Sequence, residues 1–451
     1  MALNMASNPG GFRGGDKVPV VIFSPLQRPL RPISRTSNIQ STAIVTQGDL
    51  TYCRATCHCR RCDLRVVFPT ASLPIHNYLC NCTSCRHGTG EMAFHTARIL
   101  GNPMDAETDG PFAVEVMDSY SPRDRLGVER FFCPTCSANM LVRIDLSLRE
   151  EADKRGGEPE DCAFGRNRSE KPSEQELEEG FQWRVAGGAL RNYEGIIQPM
   201  YHLNLASTMD GGVADHLRTF DGNQLIRYSE GVGSKVLPFE WHSPTLTDDQ
   251  PEEISAFCHC RAVSVKVSRP DDRAKSLRSP FPDLIYPTDV TYRAKLRNPG
   301  DEKWWLRGPY KEGEPVRYLA GHCSCAFCRM TGGFDFQSGT FIPRFNIREA
   351  DQESGRTIVF SQQESRPKGL KQYVSSPGRY HEFCGTCGAT AFWWHVSRPN
   401  LVDLSMGLLD ASVDGVRAEH WFEWHKSRVS NMQVSGSRKM VASLVEGLRQ
   451  A

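Results

Sequence analysis

The sequence predicts a mainly β protein: two cysteine-rich β modules in tandem, with a short C-terminal helix. Short apolar segments with partial alternation follow the cysteines, and three cysteine clusters occur twice in the same order. The clearest predicted strands of the first module are residues 64–68, 112–116, 141–144 and 181–185. Near the end, apolar residues at helical spacing predict an amphipathic helix, which we expect to pack on the second module. These residues are Met440, Val441, Leu444, Val445 and Leu448.

Charge and hydropathy restrict the partners and the compartment. The chain has 54 Lys and Arg against 53 Asp and Glu, and a net charge of +1 offers no field for a polyanion, so we expect no nucleic-acid partner. No apolar run approaches the ~18–20 residues that span a bilayer, and residues 18–23 are too short for a signal-peptide core. We therefore expect a cytoplasmic protein with no membrane partner, in which 17 reduced cysteines favour metal ligation over disulfides.

Shifts in composition divide the chain into segments. The first is rich in Pro, Gly, Ser and Arg, which is typical of a disordered arm. Prolines and an acidic run mark a linker between the modules. The segments are an arm at 1–48, a first module at 49–236 with a charged insertion at 149–180, a linker at 237–252, a second module at 253–430 with an insertion at 268–318, and the C-terminal helix at 431–451.

Each module carries its cysteines as Cys-x-Cys, then Cys-x-Cys-x-x-Cys, then Cys-x-x-Cys. The first copy has Cys57 and Cys59, then Cys80, Cys82 and Cys85, then Cys133 and Cys136. The second has Cys258 and Cys260, then Cys323, Cys325 and Cys328, then Cys384 and Cys387. An Arg and a Gly follow the middle cluster at the same distances both times, as Arg86 and Gly90 and as Arg329 and Gly333. Cys53, Cys62 and Cys162 lack counterparts and are interpreted as plain thiols.

This spacing favours two kinds of metal site. The outer pairs together supply four thiolates, the full set of a closed structural zinc site, whereas the middle cluster supplies three and leaves a position open, as in catalytic zinc sites. His87 could close the first of these triplets as a fourth ligand, but the second copy has Met330 at that position. An open zinc would favour capture of a further thiolate near a carbonyl, and hence the making or breaking of a thiol–aldehyde adduct.

These residues resemble a known family, the glutathione-dependent formaldehyde-activating enzymes, which include centromere protein V. The resemblance rests on the middle clusters with their Arg and Gly, on residues 379–388 around the last cysteine pair, and on residues 407–410. It implies a Mss4-like fold for both modules, up to four Zn²⁺ per chain with two in each module, and glutathione as a co-substrate.

Carried over by position, the resemblance implies structural quartets and triplets that bear the chemistry. The quartets are Cys57, Cys59, Cys133 and Cys136, and Cys258, Cys260, Cys384 and Cys387; the triplets are Cys80, Cys82 and Cys85, and Cys323, Cys325 and Cys328. The first copy departs from the family pattern at Ser137 and at residues 188–191. We therefore favour the second triplet as the open zinc site.

Other residues have two interpretations or none. The second insertion contains Trp304, Trp305 and Tyr310, which could form a wall over a bulky substrate or simply pack a surface loop. No catalytic acid or base is assigned. The histidines that are candidates by residue type alone are His95, His381 and His395.

The sequence thus predicts a zinc-dependent enzyme of the carbon–sulfur lyase type, acting on thiol adducts of aldehydes or of a larger metabolite. The expected partner is a small-molecule thiol or thiol conjugate. The alternative is a non-catalytic, zinc-stabilised protein-binding module. Two intact triplets and a near-neutral charge favour the enzyme.

Overall fold

Strands carry most of the regular structure in the computed structural model, which describes residues 44–154, 171–191, 194–247, 250–285, 297–351 and 358–451. Almost all of the predicted arm lies outside the described residues, as do Cys162 and the centre of the insertion at 149–180. Residues Ala43–Ala451 form one compact unit. No described helix is long and apolar enough to span a bilayer.

The first half of this unit, residues 44–236, is built from three main sheets. Its strands are β1 (Ile44–Gln47), β2 (Leu50–Thr56), β3 (Asp63–Pro69), β4 (Ile75–Cys80), β5 (Thr96–Arg98), β6 (Met104–Asp105), β7 (Asp118–Tyr120), β8 (Val128–Phe132), β9 (Asn139–Asp145), β10 (Phe181–Ala186), β11 (Ile197–Leu203), β12 (Thr219–Phe220), β13 (Asn223–Gln224) and β14 (Ile226–Arg227). Its helices are α1 (Thr83–Thr89), α2 (Leu146–Lys154) and α3 (Glu174–Glu179). The sheet orders are β1-β2-β3-β6, β5-β10-β9-β8-β7 and β14-β11-β4, and β12 pairs with β13.

The second half, residues 253–451, has a related strand order. Its strands are β15 (Glu253–Phe257), β16 (Ser264–Ser268), β17 (Leu306–Arg307), β18 (Arg317–Cys323), β19 (Gln337–Pro343), β20 (Ile347–Glu349), β21 (Leu370–Ser376), β22 (Arg379–Cys384), β23 (Thr390–His395), β24 (Leu401–Ser405) and β25 (Phe422–Trp424). Its helices are α4 (Asp272–Ser276), α5 (Ala326–Gly332), α6 (Ala411–Asp414) and α7 (Arg438–Gln450). The orders are β15-β16-β20 and β17-β18-β19-β24-β23-β22-β21, with β25 pairing with β18.

The two halves match strand by strand around the cysteines. The run β19-β24-β23-β22-β21 has the order of β5-β10-β9-β8-β7. In each half the strand that ends at the first triplet cysteine also has a parallel neighbour: β11 pairs with β4, and β25 pairs with β18. Such pairing is non-local, so it places segments from the end of each half beside its own triplet.

Three of the four strands predicted in the first module lie within β3, β9 and β10. The prediction for residues 112–116 is wrong, because Val114–Val116 is a 3₁₀ turn. Phe112, Val114 and Val116 are half-buried, whereas Ala113 and Glu115 are exposed, so the alternation did follow burial. The backbone here nevertheless closes on itself, with the Val116 N–H donating to the Ala113 carbonyl at 3.2 Å, and does not join a sheet.

A C-terminal helix forms at Arg438–Gln450, and all five of its predicted apolar residues are buried, but the predicted start at 431 is wrong because Met432–Val434 is a 3₁₀ turn. The main packing surface of the helix is the first half and not the second module as expected, although its ends also bond to Asp335 and Lys426 of the second half. The Asp221 N–H donates to Ser443 Oγ at 3.3 Å, and Gly447 lies against the backbone of His216, so the helix packs beside β12 of the first half. Leu217 and Phe220 supply the apolar surface that its buried stripe requires.

The predicted linker is also packed against the first half. Leu237 is buried with Leu205 and Ala214, and Trp241 packs against this group. The Trp421 indole of the second half donates to Gln250 at 3.1 Å. The module limits themselves stay predictions, because all these residues belong to one compact unit.

The residues that recur after each middle cluster form the contact between the halves. Arg86 donates to the carbonyl of Leu409 at 3.5 Å, and Arg329 donates to that of Leu190 at 2.5 Å. Reciprocal backbone bonds accompany them: the Gly188 N–H donates to the Gly333 carbonyl at 2.9 Å, and the Gly407 N–H donates to the Gly90 carbonyl at 3.1 Å. The halves thus meet through equivalent residues of each, as the two subunits of a symmetric dimer do.

Candidate metal centres and an open cavity

Four groups of cysteines could hold a metal ion, and they are the two quartets and two triplets named above. Within each group all Sγ atoms lie within 4.8 Å of one another. All cysteines in the described part of the chain are free thiols. Clustered, buried thiols without disulfides are the donor set that zinc prefers, so the residues fit this metal.

Each quartet joins two tight turns. Cys57 and Cys59 lie between β2 and β3, and Cys133 follows β8, so that the Sγ atoms of Cys59 and Cys133 are 3.4 Å apart. In the second half the Sγ atoms of Cys260 and Cys384 are 3.5 Å apart. Every quartet thiol is wholly or largely buried, which suits a structural role.

Cys62 lies beside the first quartet, where its N–H donates to Cys57 Sγ at 3.2 Å. Val263 does the same for Cys258 at 3.3 Å. At both positions the backbone N–H donates the hydrogen bond to the quartet sulfur, so the turn does not require a thiol side chain there.

Each triplet is built from a strand end and a helix start. Cys323 ends β18, Cys325 caps α5, and Cys328 lies in its first turn, where its N–H donates to Cys325 Sγ at 3.4 Å. Hydrogen bonds from the thiols of Cys323 and Cys328 hold the pKa of Cys325 well below its usual value, and its helix-cap position also favours a thiolate. Cys80, Cys82 and Cys85 repeat this arrangement on β4 and α1.

His87 does not lie in the first cysteine group. Its Nδ1 lies 2.5 Å from the carbonyl oxygen of Phe257, and its ring stacks on the Phe257 ring at 4.3 Å. Burial lowers the pKa of His87 to about 3, so the ring is neutral. Its role here is a contact between the halves, and the triplet offers three thiols as possible ligands within the described residues.

An asparagine supports each triplet, and neither was singled out from the sequence. Asn204 donates from Nδ2 to Cys80 Sγ at 3.3 Å, and Asn431 donates to Cys323 Sγ at the same distance. Both have positive φ, 60° and 58°, a conformation that Asn tolerates better than most residues. An Asn before an apolar residue in each half was the available sequence signal, but it is too common to stand out.

The first triplet is closed over. All three of its cysteines are buried, and Arg125 Nη2 lies 3.8 Å from Cys82 Sγ. Asp124 accepts hydrogen bonds from Ser84 and, at 2.9 Å, from His259 of the second half. Partial desolvation opposes them, but these bonds lower the pKa of Asp124 to about 2, so the carboxylate stays ionised.

The second triplet opens on a cavity of about 480 Å³, within the range of small-molecule sites. Cys323 and Cys325 are partly exposed. The cavity has an apolar wall and a polar side. The apolar wall consists of Phe281, Leu284, Phe327, Phe341 and Trp393, and the polar side includes Arg379, His395, Arg398, Asp403 and Asn431.

Two acidic residues line this cavity, Asp283 and Asp403, and sequence reasoning missed both; Asp283 pairs with Arg428 at 3.1 Å. Burial raises the pKa of Asp403 to about 6, although Arg398 lies 2.7 Å from Oδ1 and opposes the shift.

Asp403 lies four residues before Gly407. The equivalent residue of the first half, four residues before Gly188, is Arg184. Arg184 donates to Thr96 Oγ1 at 2.9 Å and is buried, so the first triplet has no equivalent acid at this position.

The aromatic insertion contributes to the cavity through residues other than those predicted. Trp304 and Trp305 are buried with Phe341 and pack the insertion against the second half. Tyr310 is 63% exposed and donates to Glu423 at 2.9 Å. The cavity wall is formed instead by Phe281 and Leu284 of the same insertion.

The three candidate histidines occupy two different environments. His395 lines the cavity. His95 pairs with Asp335 at 2.9 Å and His381 with Ser137 at 2.8 Å, and both rings are fully buried at the contact between the halves. Burial lowers the pKa of His381 to about 3, which leaves it a neutral structural group.

A scan against protein-family models and a search of curated proteins found no match to the chain.

Proposed function

We propose that the chain is a zinc-dependent carbon–sulfur lyase whose active site is the cavity at Cys323, Cys325 and Cys328. One observation carries this proposal: the three thiols of the second triplet face a cavity of about 480 Å³, whereas the three thiols of the first triplet are buried. A metal with three protein ligands and an accessible side is the arrangement of catalytic zinc sites. The matched strand orders further support a tandem of two Mss4-like modules, of which the second is active.

In this proposal the triplet thiolates hold the zinc and Asn431 supports Cys323. When bound, zinc favours the thiolate form of a thiol at its open position and polarises a nearby carbonyl. The two quartets and the first triplet would hold further zinc ions that cross-link the sheets. Zinc and glutathione are thus proposed as cofactor and thiol partner.

The cavity walls suit a thiol adduct that carries both an anionic and an apolar part. Arg379 lies at the cavity and forms no ion pair within the described residues, so it can bind a carboxylate such as those of glutathione. Phe281 and Trp393 cover the apolar side and exclude water from the reacting carbon. The width of this wall favours an aldehyde larger than formaldehyde as the second partner.

Asp403 is the group that we assign to proton transfer. In cleavage, its carboxylate takes the proton from the hydroxyl oxygen of the adduct. That oxygen forms the aldehyde carbonyl while the carbon–sulfur bond breaks and its electron pair leaves with the sulfur as a thiolate. In the reverse direction Asp403 returns the proton to the carbonyl oxygen. A carboxyl with a pKa of about 6 is well suited to both directions near neutral pH.

Zinc analysis and turnover on matched variants test the proposal. We expect four zinc ions per wild-type chain and three in both Cys325→Ser/Cys328→Ser and Cys82→Ser/Cys85→Ser. Only the first variant should lose the formation and cleavage of adducts from glutathione and formaldehyde or larger aldehydes. Two zinc ions in all three proteins, with no turnover, would contradict the enzyme and favour the binding module.

The binding module remains a second candidate because of the first triplet. Its thiols are buried and Arg125 lies against Cys82, and such a closed site suits structure alone. If the second triplet were equally inert, the chain would be a scaffold that holds four structural metals.

A further inference from the structure

The histidine between the first two cysteines of each half reaches across to the other half. The side chains of Cys57 and Cys59 turn into their quartet, so His58 between them points away from it. The His58 ring lies 5.0 Å from the ring of Phe327, edge to face, and Nδ1 lies 2.9 Å from the hydroxyl of Tyr373. Phe327 stands between Cys325 and Cys328, so His58 lines the cavity of the second triplet although it belongs to the first half.

The hydroxyl of Tyr373 fixes the orientation of this ring. With Nδ1 bonded to Tyr373, the other ring nitrogen points away from the tyrosine. Nε2 of His58 makes no hydrogen bond within the described residues, although the residue is half-buried. A half-buried ring nitrogen beside a cavity has its hydrogen-bonding capacity left for a bound molecule.

The equivalent histidine of the second half shows what this nitrogen can bind. His259 has the same tyrosine bond, 2.8 Å from Nδ1 to the hydroxyl of Tyr120. Its Nε2, however, is taken by the Asp124 carboxylate at 2.9 Å and by Ser84 Oγ at 3.2 Å. Phe327 stands where the first half has Ser84, and the cavity side after Tyr373 is formed by Ser375 and Ser376, which offer no carboxylate.

We propose that His58 of the first half completes the active site of the second half, by donating a hydrogen bond from Nε2 to a carboxylate of the substrate in the place that Asp124 occupies at the closed site. This rests on the proposed function and specifies its substrate: an anionic thiol adduct, held by His58 on one side and Arg379 on the other. It also gives the contact between the halves a function, because the second half alone would lack this histidine at its cavity.

Equilibrium binding of glutathione to the zinc-loaded full chain tests this assignment, by calorimetry on wild type and His58→Phe. Phenylalanine keeps the ring packing on Phe327 and Tyr373 and removes both nitrogens. We expect His58→Phe to weaken glutathione binding about tenfold or more, as loss of a hydrogen bond to a charged group does, with the zinc content unchanged. The matched variant His259→Phe should leave glutathione binding unchanged.

A second variant separates positioning from packing. Tyr373→Phe should weaken binding by a smaller factor, about threefold, because it frees the ring without removing Nε2. In the His58→Phe background the same change should have no further effect, which a purely structural role would not produce. Unchanged affinity in a His58→Phe protein that keeps its four zinc ions overturns the assignment.

The outcome also distinguishes this assignment from the proposed function. Wild type that binds glutathione through His58 but forms and cleaves no adduct contradicts the lyase and supports the composite site. Turnover that His58→Phe leaves intact supports the lyase and overturns the composite site. A wild-type chain that carries zinc but binds no glutathione overturns both.

Discussion

Asn431 donates a hydrogen bond from Nδ2 to the Sγ of Cys323 at 3.3 Å, and Asn204 does the same for Cys80 in the other half. A hydrogen bond to a ligand thiolate orients it and withdraws some of its charge, and such supporting contacts influence metal affinity. The same substitution can therefore be tested at the open second triplet and at the closed first triplet.

Replacing Asn431 by glycine tests this support. Glycine accepts the positive φ of 58°, so the change removes the amide without straining the backbone. We expect the zinc affinity of the second triplet to fall about tenfold, measured by competition with a chromogenic chelator. Asn204→Gly should instead lower the zinc affinity of the first triplet. If both variants bound zinc as tightly as wild type, the asparagines would have no part in metal binding.

Gly90→Ala should destabilise the chain strongly. A Cβ at Gly90 would overlap the backbone oxygen of Thr390 in the other half, and φ is +85°. Strain of ~1–2 kcal/mol from the left-handed conformation and a clash of similar size predict a loss of about 3 kcal/mol in the free energy of unfolding, measured in urea with zinc bound. The control is Gly195→Ala, at φ +84° with open space around it, where only the strain applies. Equal losses at both sites would show that the contact between the halves contributes little.

The cavity carboxyl predicts a pH dependence. Because only ionised Asp403 can accept a proton, kcat/KM for adduct cleavage should rise with pH through about 6 and then level. Asp403→Asn should lower kcat/KM by roughly 10²–10⁴-fold and abolish its rise with pH. If the rise near pH 6 persisted in the variant, a group other than Asp403 would be responsible for it.

The same group affects stability with a definite sign. Its pKa is raised on folding, so its contribution to stability is present below the unfolded value of about 3.9 and is lost as the pH rises through about 6. The wild type should therefore lose stability relative to Asp403→Asn between these pH values, which thermal unfolding at a series of pH values measures.

Metal release should be sequential. Cys323 and Cys325 are partly exposed, whereas the thiols of the first triplet are buried. An excess of chelator should therefore remove one zinc per chain quickly and the others slowly, as followed by absorbance. The fast phase should be missing from Cys325→Ser/Cys328→Ser and present in Cys82→Ser/Cys85→Ser; its survival in the former would place the exposed metal elsewhere.

Local spacing in the sequence was sufficient to predict the cysteine groups and the terminal helix. A Cys-x-Cys turn and a Cys-x-x-Cys turn each direct two sulfurs to one point, and a helix that starts at Cys82 or Cys325 brings its cap and first-turn thiols together. These relations span a few residues, so the grouping of the cysteines was visible in the sequence. The terminal helix was predictable for the same reason, since its apolar stripe repeats within thirteen residues.

The residues that form the contact between the halves could be recognised in the sequence as repeated, but their role in that contact could not be predicted. Arg86, Gly90 and their counterparts were recognised as repeated, yet their reason is a surface formed by residues more than a hundred positions away, such as Leu409 and Thr390. The same holds for the helix at Arg438–Gln450, whose periodicity fixes a buried stripe but not the surface that buries it.

By itself, then, the sequence determined a mainly β chain with cysteine sets able to hold up to four metal ions, because turns and helix caps depend on neighbours along the chain. The tertiary structure alone decided that one triplet is buried beside the Asp124–His259 pair while the other opens on a cavity with Asp403, and that His58 reaches that cavity. These depend on which surfaces meet when distant segments pack, and that is set by the combined burial and hydrogen bonding of the whole unit.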